Sequence, residues 1–114
     1  MEEKKKEFAV IGAGYWGKNI IKCLYGLGVL HTVCDTDKNT ISDIKNKYAA
    51  VNFSESPDDI LGNKDIKAVA ISTPSATHYK FSKYFLSAGK DVFVEKPLAL
   101  KVEERGRAFT VVRK

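Results

Sequence analysis

The stretch that most constrains the fold is Phe8 to Gly17, FAVIGAGYWG. Four apolar residues, Phe8-Ala9-Val10-Ile11, stop at Gly12. Gly14 and Gly17 follow, giving G-x-G-x-x-G, and the pattern then turns helical. A buried strand that breaks on glycine and re-emerges as a helix presents free N–H groups and a positive dipole end to an anion such as a pyrophosphate. Gly12 permits the tight turn, Gly14 leaves the backbone open to phosphates, and Gly17 lets the helix approach the strand. Glycine turns also arise for purely structural reasons, so the rest of the chain has to arbitrate.

The 114 residues suffice for one domain. A hydrophobic content of 44% and a charged content of 29% are ordinary for a globular chain. The net charge of +5 does not mark a nucleic-acid binder, because the basic residues are dispersed and not interleaved with aromatics. Met1 to Lys6 is a charged lead-in, and no apolar run reaches membrane-spanning length. The expectation is a cytoplasmic protein with neither nucleic acid nor membrane as partner. Cys23 and Cys34 lack metal-ligand spacing and read as buried free thiols of a reducing compartment.

Along the chain, Trp16, Ile20, Ile21, Leu24 and Leu27 recur at helical spacing from Tyr15 to Leu27, and Gly26 and Gly28 end that helix. Val29 to Cys34 reads as a strand ending on Asp35. Asp37 or Thr36 caps a second helix with Ile41, Ile44 and Tyr48 on one face. Val51 to Phe53 is a short strand, and Ser56-Pro57-Asp58-Asp59 opens a brief helix. Ala68 to Ser72 is a buried strand. Ser75 or Thr77 caps a helix carrying Phe81, Phe85 and Ala88, ended by Gly89. Asp91 to Val94 is a fifth strand, closed by Glu95-Lys96-Pro97. A last helix is expected from about Val102 to Val112, although Phe109-Thr110-Val111-Val112 suits a strand equally well. Strands alternating with helices through short connections predict an α/β, three-layer α/β/α fold. This is a Rossmann-type doubly wound parallel sheet with strand order 3-2-1-4-5.

Ligands in such sheets bind beyond the carboxyl ends of the strands, where the strand order reverses. Four features land there. The glycine turn is the first. The second is Asp35, at the tip of the second strand, whose carboxylate can accept from both hydroxyls of an adenine ribose and repels a 2′-phosphate, so NAD is favoured over NADP. Its alternative role is to cap the next helix, for which Asp37 is the better candidate. The third is Ser72-Thr73-Pro74, placed to flank the nicotinamide side of a dinucleotide, with His78 one turn into the following helix. Read singly, a Thr-Pro after a strand is plain turn chemistry and a lone histidine is structural. The fourth is Glu95-Lys96-Pro97, whose lysine can donate to a substrate hydroxyl or shuttle its proton.

In this order the motifs resemble the glucose–fructose oxidoreductase, inositol dehydrogenase and rhizopine-catabolism family (Gfo/Idh/MocA). They are Gly12-Ala13-Gly14-Tyr15-Trp16-Gly17, Asp35, Ser72-Thr73-Pro74-Ser75-Ala76-Thr77-His78 and Glu95-Lys96-Pro97. The Gly-Tyr-Trp-Gly-Lys-Asn stretch is most similar to family members acting on nucleotide-linked amino sugars. The resemblance implies that Gly12, Gly14, Tyr15, Trp16 and Gly17 contact the pyrophosphate and that Asp35 holds the adenosine ribose. It implies that Thr73 and His78 border the dinucleotide and that Glu95 holds the nicotinamide ribose. Lys96 would be the catalytic residue at a sugar hydroxyl, and Pro97 would fix the turn that aims it. Family members are considerably longer and carry a separate substrate domain. The expectation for these 114 residues is therefore cofactor binding with little or no catalysis. The alternative is a non-catalytic dinucleotide- or sugar-sensing module. Without a sixth strand the fifth would be an open sheet edge, so a homo-oligomer is expected, most simply a twofold dimer through that strand or the last helix.

Overall fold

The computed structural model describes residues 5–95 and 109–112. Its elements are β1 (Phe8–Ile11), α1 (Tyr15–Gly26), β2 (Leu30–Cys34), α2 (Lys38–Ile44), β3 (Asn52–Ser54), α3 (Pro57–Leu61), β4 (Ala68–Ile71), α4 (His78–Leu86), β5 (Asp91–Glu95) and β6 (Phe109–Val112). Short 3-10 turns lie at Lys45–Lys47 and Ser75–Thr77.

The sheet order is β3-β2-β1-β4-β5-β6. The first five strands are parallel and follow the expected order 3-2-1-4-5. Parallel strands sit between two helical layers, so the apolar side chains split by the two-residue period of a strand. Ala9, Ile11, Val69, Ile71, Val92 and Val94 pack with Ile60 of α3 and Phe85 of α4. Val10, Val33 and Ala70 pack on the opposite face with Ile21 of α1 and with Ile41 and Ile44 of α2. β4, central in the sheet, is buried along its whole length. Complete burial of Phe85 is worth about 1.5–3 kcal/mol.

Several local expectations hold and others do not. Asp37 caps α2, accepting from the Asn39 N–H, and Ser56 caps α3 with Pro57 in the first turn. Thr77 occupies the N-cap position of α4 but makes no side-chain cap bond. Its backbone is already helical there, and its hydroxyl turns back to the Pro74 carbonyl instead. Ala88 is exposed, because α4 ends at Leu86 and the chain leaves the core. Cys23 is exposed on α1, while Cys34 is buried at the end of β2. The cysteine expectation therefore holds for one thiol only.

The largest correction lies at the C-terminus. The expected helix runs from Val102 to Val112, of which residues 102–108 are outside the described residues. Phe109–Val112 is strand, antiparallel to β5, with Glu95 opposite Phe109 and Val92 opposite Val112. Consecutive β-branched residues crowd a helix and suit a strand, so the β reading of Phe-Thr-Val-Val prevails. β6 occupies the β5 edge, so the open edge expected at the fifth strand is paired within the chain.

Candidate functional site

The carboxyl ends of β1, β2 and β4 converge, and the sheet bonding continues one residue past each strand. Gly12 donates to the Cys34 carbonyl at 2.7 Å, and Ser72 donates to the Ile11 carbonyl at 2.7 Å. Asp35 donates to the Ser54 carbonyl at 3.0 Å. These bonds hold the glycine turn, the tip of β2 and the loop after β4 in one rigid frame.

The three glycines play separate parts. Gly12 has φ +99°, and a Cβ there would lie 2.8 Å from the Ser72 carbonyl oxygen. A Cβ on Gly17 would lie 2.0 Å from the Gly12 carbonyl oxygen, so only hydrogen fits between α1 and the turn. A Cβ on Gly14 would meet nothing within 4 Å. Packing accounts for Gly12 and Gly17. The bareness of Gly14 leaves open space at a helix N-terminus, which is what an incoming phosphate needs.

Asp35 reaches back onto this turn. Its Oδ2 accepts from the Ala13 N–H at 2.8 Å and its Oδ1 from the Asp37 N–H at 2.8 Å. Asp37 in turn caps α2, its Oδ1 accepting from the Asn39 N–H at 2.9 Å. Each carboxylate oxygen of Asp35 retains a second lone pair, so two further hydroxyl donors can be received. Beside it, burial and the negative charges of Asp35 and Asp59 push the Cys34 thiol up to about 12. Cys34 stays a neutral thiol at physiological pH, unsuited to nucleophilic work.

Across the cleft, Thr73 and Pro74 follow β4. The Thr73 and Thr77 hydroxyls lie 2.5 Å apart, and the Thr77 hydroxyl donates to the Pro74 carbonyl at 2.7 Å. His78 is 3% exposed, and its Nε2 donates to the Thr73 carbonyl at 2.8 Å. The structure thus places His78 behind the loop, bracing Thr73. The Ser72 hydroxyl is buried beneath the turn without a partner among the described residues.

Gly12, Gly14, Asp35, Ser72, Thr73 and Pro74 line one cleft of about 370 Å³. Gly17 lies under it and His78 behind it. Tyr15 and Trp16 begin α1, and Glu95 ends β5. Lys96 and Pro97 lie outside the described residues. The structure adds wall residues that sequence reading placed only in helices: Pro57, read as a helix start, and Phe81, read on one side of the helix after Thr77. No local signal distinguishes these roles, because each depends on which way a helix faces after folding. A larger cavity of about 440 Å³ lies between α1 and the sheet, lined by Phe8, Ile20, Leu24 and Phe93 among others. Its walls are almost wholly apolar, with Asn19 the one amide side chain among them, and they include neither the glycine turn nor Asp35, so the smaller cleft is the candidate site.

Residues 6–114 match the family model of the Gfo/Idh/MocA oxidoreductases, described as an oxidoreductase family with an NAD-binding Rossmann fold. The chain is 32% identical to scyllo-inositol 2-dehydrogenase (NAD(+)) of Bacillus subtilis (strain 168), over 97% of this chain and 33% of that protein. Among solved structures it resembles GenD2 from gentamicin A biosynthesis in complex with NAD. The TM-score is 0.76 at 27% identity, covering 86% of this chain and 29% of that one. It also resembles UDP-N-acetylglucosamine 3-dehydrogenase GnnA from Acidithiobacillus ferrooxidans. There the TM-score is 0.74 at 26% identity, covering 85% of this chain and 31% of the other. The chain spans about a third of the length of the relatives it matches.

Proposed function

The chain belongs to the Gfo/Idh/MocA oxidoreductase family and is an NAD-binding Rossmann domain, and from that membership we propose that it serves hydride transfer at a sugar, nucleotide-sugar or cyclitol hydroxyl. The observation that carries the cofactor reading is the pairing of a bare Gly14 with a polarised Asp35 carboxylate on the same sheet edge. The pyrophosphate belongs at Gly14 and the N-terminus of α1. The adenine ribose hydroxyls belong at Asp35. A 2′-phosphate would meet that carboxylate, so NAD is preferred to NADP. The bound dinucleotide would supply the hydride acceptor.

Among this chain's own residues, Gly12 and Gly17 shape the turn. Ser72, Thr73 and Pro74 form the opposite wall, and His78 acts through Thr73. Tyr15 and Trp16 flank the pyrophosphate, and Glu95 holds the nicotinamide ribose. Lys96, aimed by Pro97, holds or moves the proton of the substrate hydroxyl at its Nζ. Homo-oligomerisation and a cytoplasmic location complete the proposal. Among the described residues no helix is long and apolar enough to cross a membrane.

Trp16 is the only tryptophan and lies in the first turn of α1. Titration with NADH, followed by energy transfer from Trp16, should give a saturable signal, with NADPH at least tenfold weaker. No saturation at millimolar NADH would overturn the reading.

A further inference from the structure

The amino ends of β4 and β5, at the opposite end of the sheet from the glycine turn, gather positive charge. Lys67 immediately precedes β4 and Lys90 immediately precedes β5, and Ala68 is in register with Asp91. The Asp91 N–H donates to the Lys67 carbonyl at 3.0 Å, so the two lysines are fixed as neighbours on adjacent strands. With Lys64, from the turn before β4, they line a cavity of about 280 Å³ whose apolar walls include Leu61 and Ala88. Among the described residues none of the three lysines is in an ion pair. Like charges side by side in a sheet are destabilising, and here no carboxylate offsets them.

Lys90 cannot swing away from this crowding. It is 5% exposed, and its Nζ donates to the Asn63 carbonyl at 2.8 Å and the Ile66 carbonyl at 2.7 Å. An ammonium has three N–H donors, so one is left over. The turn that holds it is itself braced, because Asn63 Oδ1 accepts from the Asp65 N–H at 2.9 Å and the Asn63 carbonyl from the Ile66 N–H at 3.2 Å. Burial, and after it the charge of Lys67, lowers the Lys90 pKa, and an anion in the cavity would offset the second cause. We propose that this cavity is a binding site for a phosphate group, separate from the dinucleotide cleft. The spare Lys90 donor anchors one oxygen, and the Lys64 and Lys67 ammonium groups neutralise the remaining charge. Ammonium groups are compact point charges that suit a tetrahedral phosphate, whereas a planar carboxylate is best matched by a guanidinium fork, and no arginine is among the residues that line this cavity.

The test titrates the 114-residue chain with inorganic phosphate and with glycerol 3-phosphate, each against sodium chloride of equal ionic strength, and reads backbone amide shifts by NMR. Saturable shifts should centre on Lys64, Gly89 and Lys90. Lys64 and Lys67 are exposed, so the double variant Lys64→Gln, Lys67→Gln keeps the Lys90 clamp and the folded spectrum. It should weaken phosphate about tenfold or more. Tighter binding of glycerol 3-phosphate would support the site and assign it to a phosphate ester, and equal or tighter binding of inorganic phosphate would support it and assign it to the free ion. Shifts no larger than those from sodium chloride would overturn the proposal. So would unchanged phosphate affinity in the double variant, or shifts confined to Gly12 to Gly17, which would put the anion in the glycine turn. NADH titration of the double variant reads the dinucleotide proposal independently, since neither lysine lines that cleft.

Discussion

The Asp35 carboxylate and the Ala13 amide, 22 positions apart in the chain, are joined by a 2.8 Å hydrogen bond across the carboxyl ends of β1 and β2. One side chain therefore both steadies the glycine turn and faces the cleft that turn borders. A ribose bound at Asp35 would share the carboxylate with the turn, coupling the two halves of the site.

Replacing that carboxylate should damage binding more than stability. A hydrogen bond to a charged acceptor contributes about 1.5–3 kcal/mol. Asp35→Asn keeps one acceptor oxygen, sets an NH2 donor against the other of the Ala13 and Asp37 N–H groups, and removes the charge. NADH affinity should fall at least tenfold, and the preference over NADPH should shrink or vanish. Fluorescence titration with both nucleotides reads this directly. An undiminished NADH preference in Asp35→Asn would detach Asp35 from cofactor choice.

Gly17→Ala and Gly14→Ala should behave oppositely. The first would drive a methyl group to 2.0 Å from the Gly12 carbonyl oxygen. The backbone must shift, so the loss should be about 3 kcal/mol or more, at the upper end for overpacking. The second has no steric neighbour within 4 Å in the free protein and should cost less than about 1 kcal/mol. It should nevertheless abolish saturable NADH binding if the phosphates approach at Gly14 as proposed, because the methyl group would stand in their way. Urea melts and NADH titrations of the two variants separate packing from binding.

The two thiols should differ in reactivity and in alkaline behaviour. Exposed Cys23 should react with a disulfide reagent in the native protein, and buried Cys34 only after unfolding. Burial, then Asp35 and Asp59, raise the Cys34 thiol from 9.0 to about 12. Between those values the folded state retains a proton that the unfolded chain releases, so the contribution is fully present below pH 9 and is lost as pH rises towards 12. Cys34→Ala should flatten that alkaline decline in chemical melts. An equal slope in protein and variant would remove Cys34 as its source.

Lys90 is 5% exposed, and its ammonium donates to the carbonyls of Asn63 at 2.8 Å and Ile66 at 2.7 Å. It clamps the loop before β4 to the start of β5. Lys90→Met keeps the length but strips both carbonyls of their donor, at a cost of about 1–3 kcal/mol. NADH binding, at the opposite end of the sheet, should be unchanged. Burial, with a smaller contribution from Lys67, lowers the Lys90 pKa below 10.5. The unfolded chain then binds the proton more tightly, so the Lys90 contribution should strengthen as pH rises towards 10.5. As pH rises towards 10.5 it opposes the Cys34 effect, so the Cys34→Ala comparison should be repeated in the Lys90→Met background.

Much of the fold was written in short-range patterns. Alternating buried strands and glycine-punctuated helices specified five parallel strands and their order, since a two-residue period and a 3.6-residue period cannot be exchanged. Asp37 and Ser56 were legible as caps because capping is local. The roles of Gly12 and Gly17 were legible as a motif. Their cause, contact with Ser72 and with the turn itself, required the strands to be assembled.

What tertiary structure alone decided lies in long-range choices between locally equal options. Phe109-Thr110-Val111-Val112 suited helix or strand, and pairing with β5 decided for strand. His78 could have faced the cleft or the core, and the Thr73 carbonyl drew it inward. Phe81 and Pro57 became cleft walls only once α4 and α3 were packed beside the carboxyl ends of the strands. The sequence by itself determined the parallel sheet, the glycine turn and an acid at the end of β2. Only the folded chain showed that this acid is hydrogen-bonded to the turn, and that the Thr73 and Thr77 hydroxyls meet across the loop after β4. Such pairings are a property of neighbours in space, and β1, β2 and β4 become neighbours only when the sheet closes over its two cores.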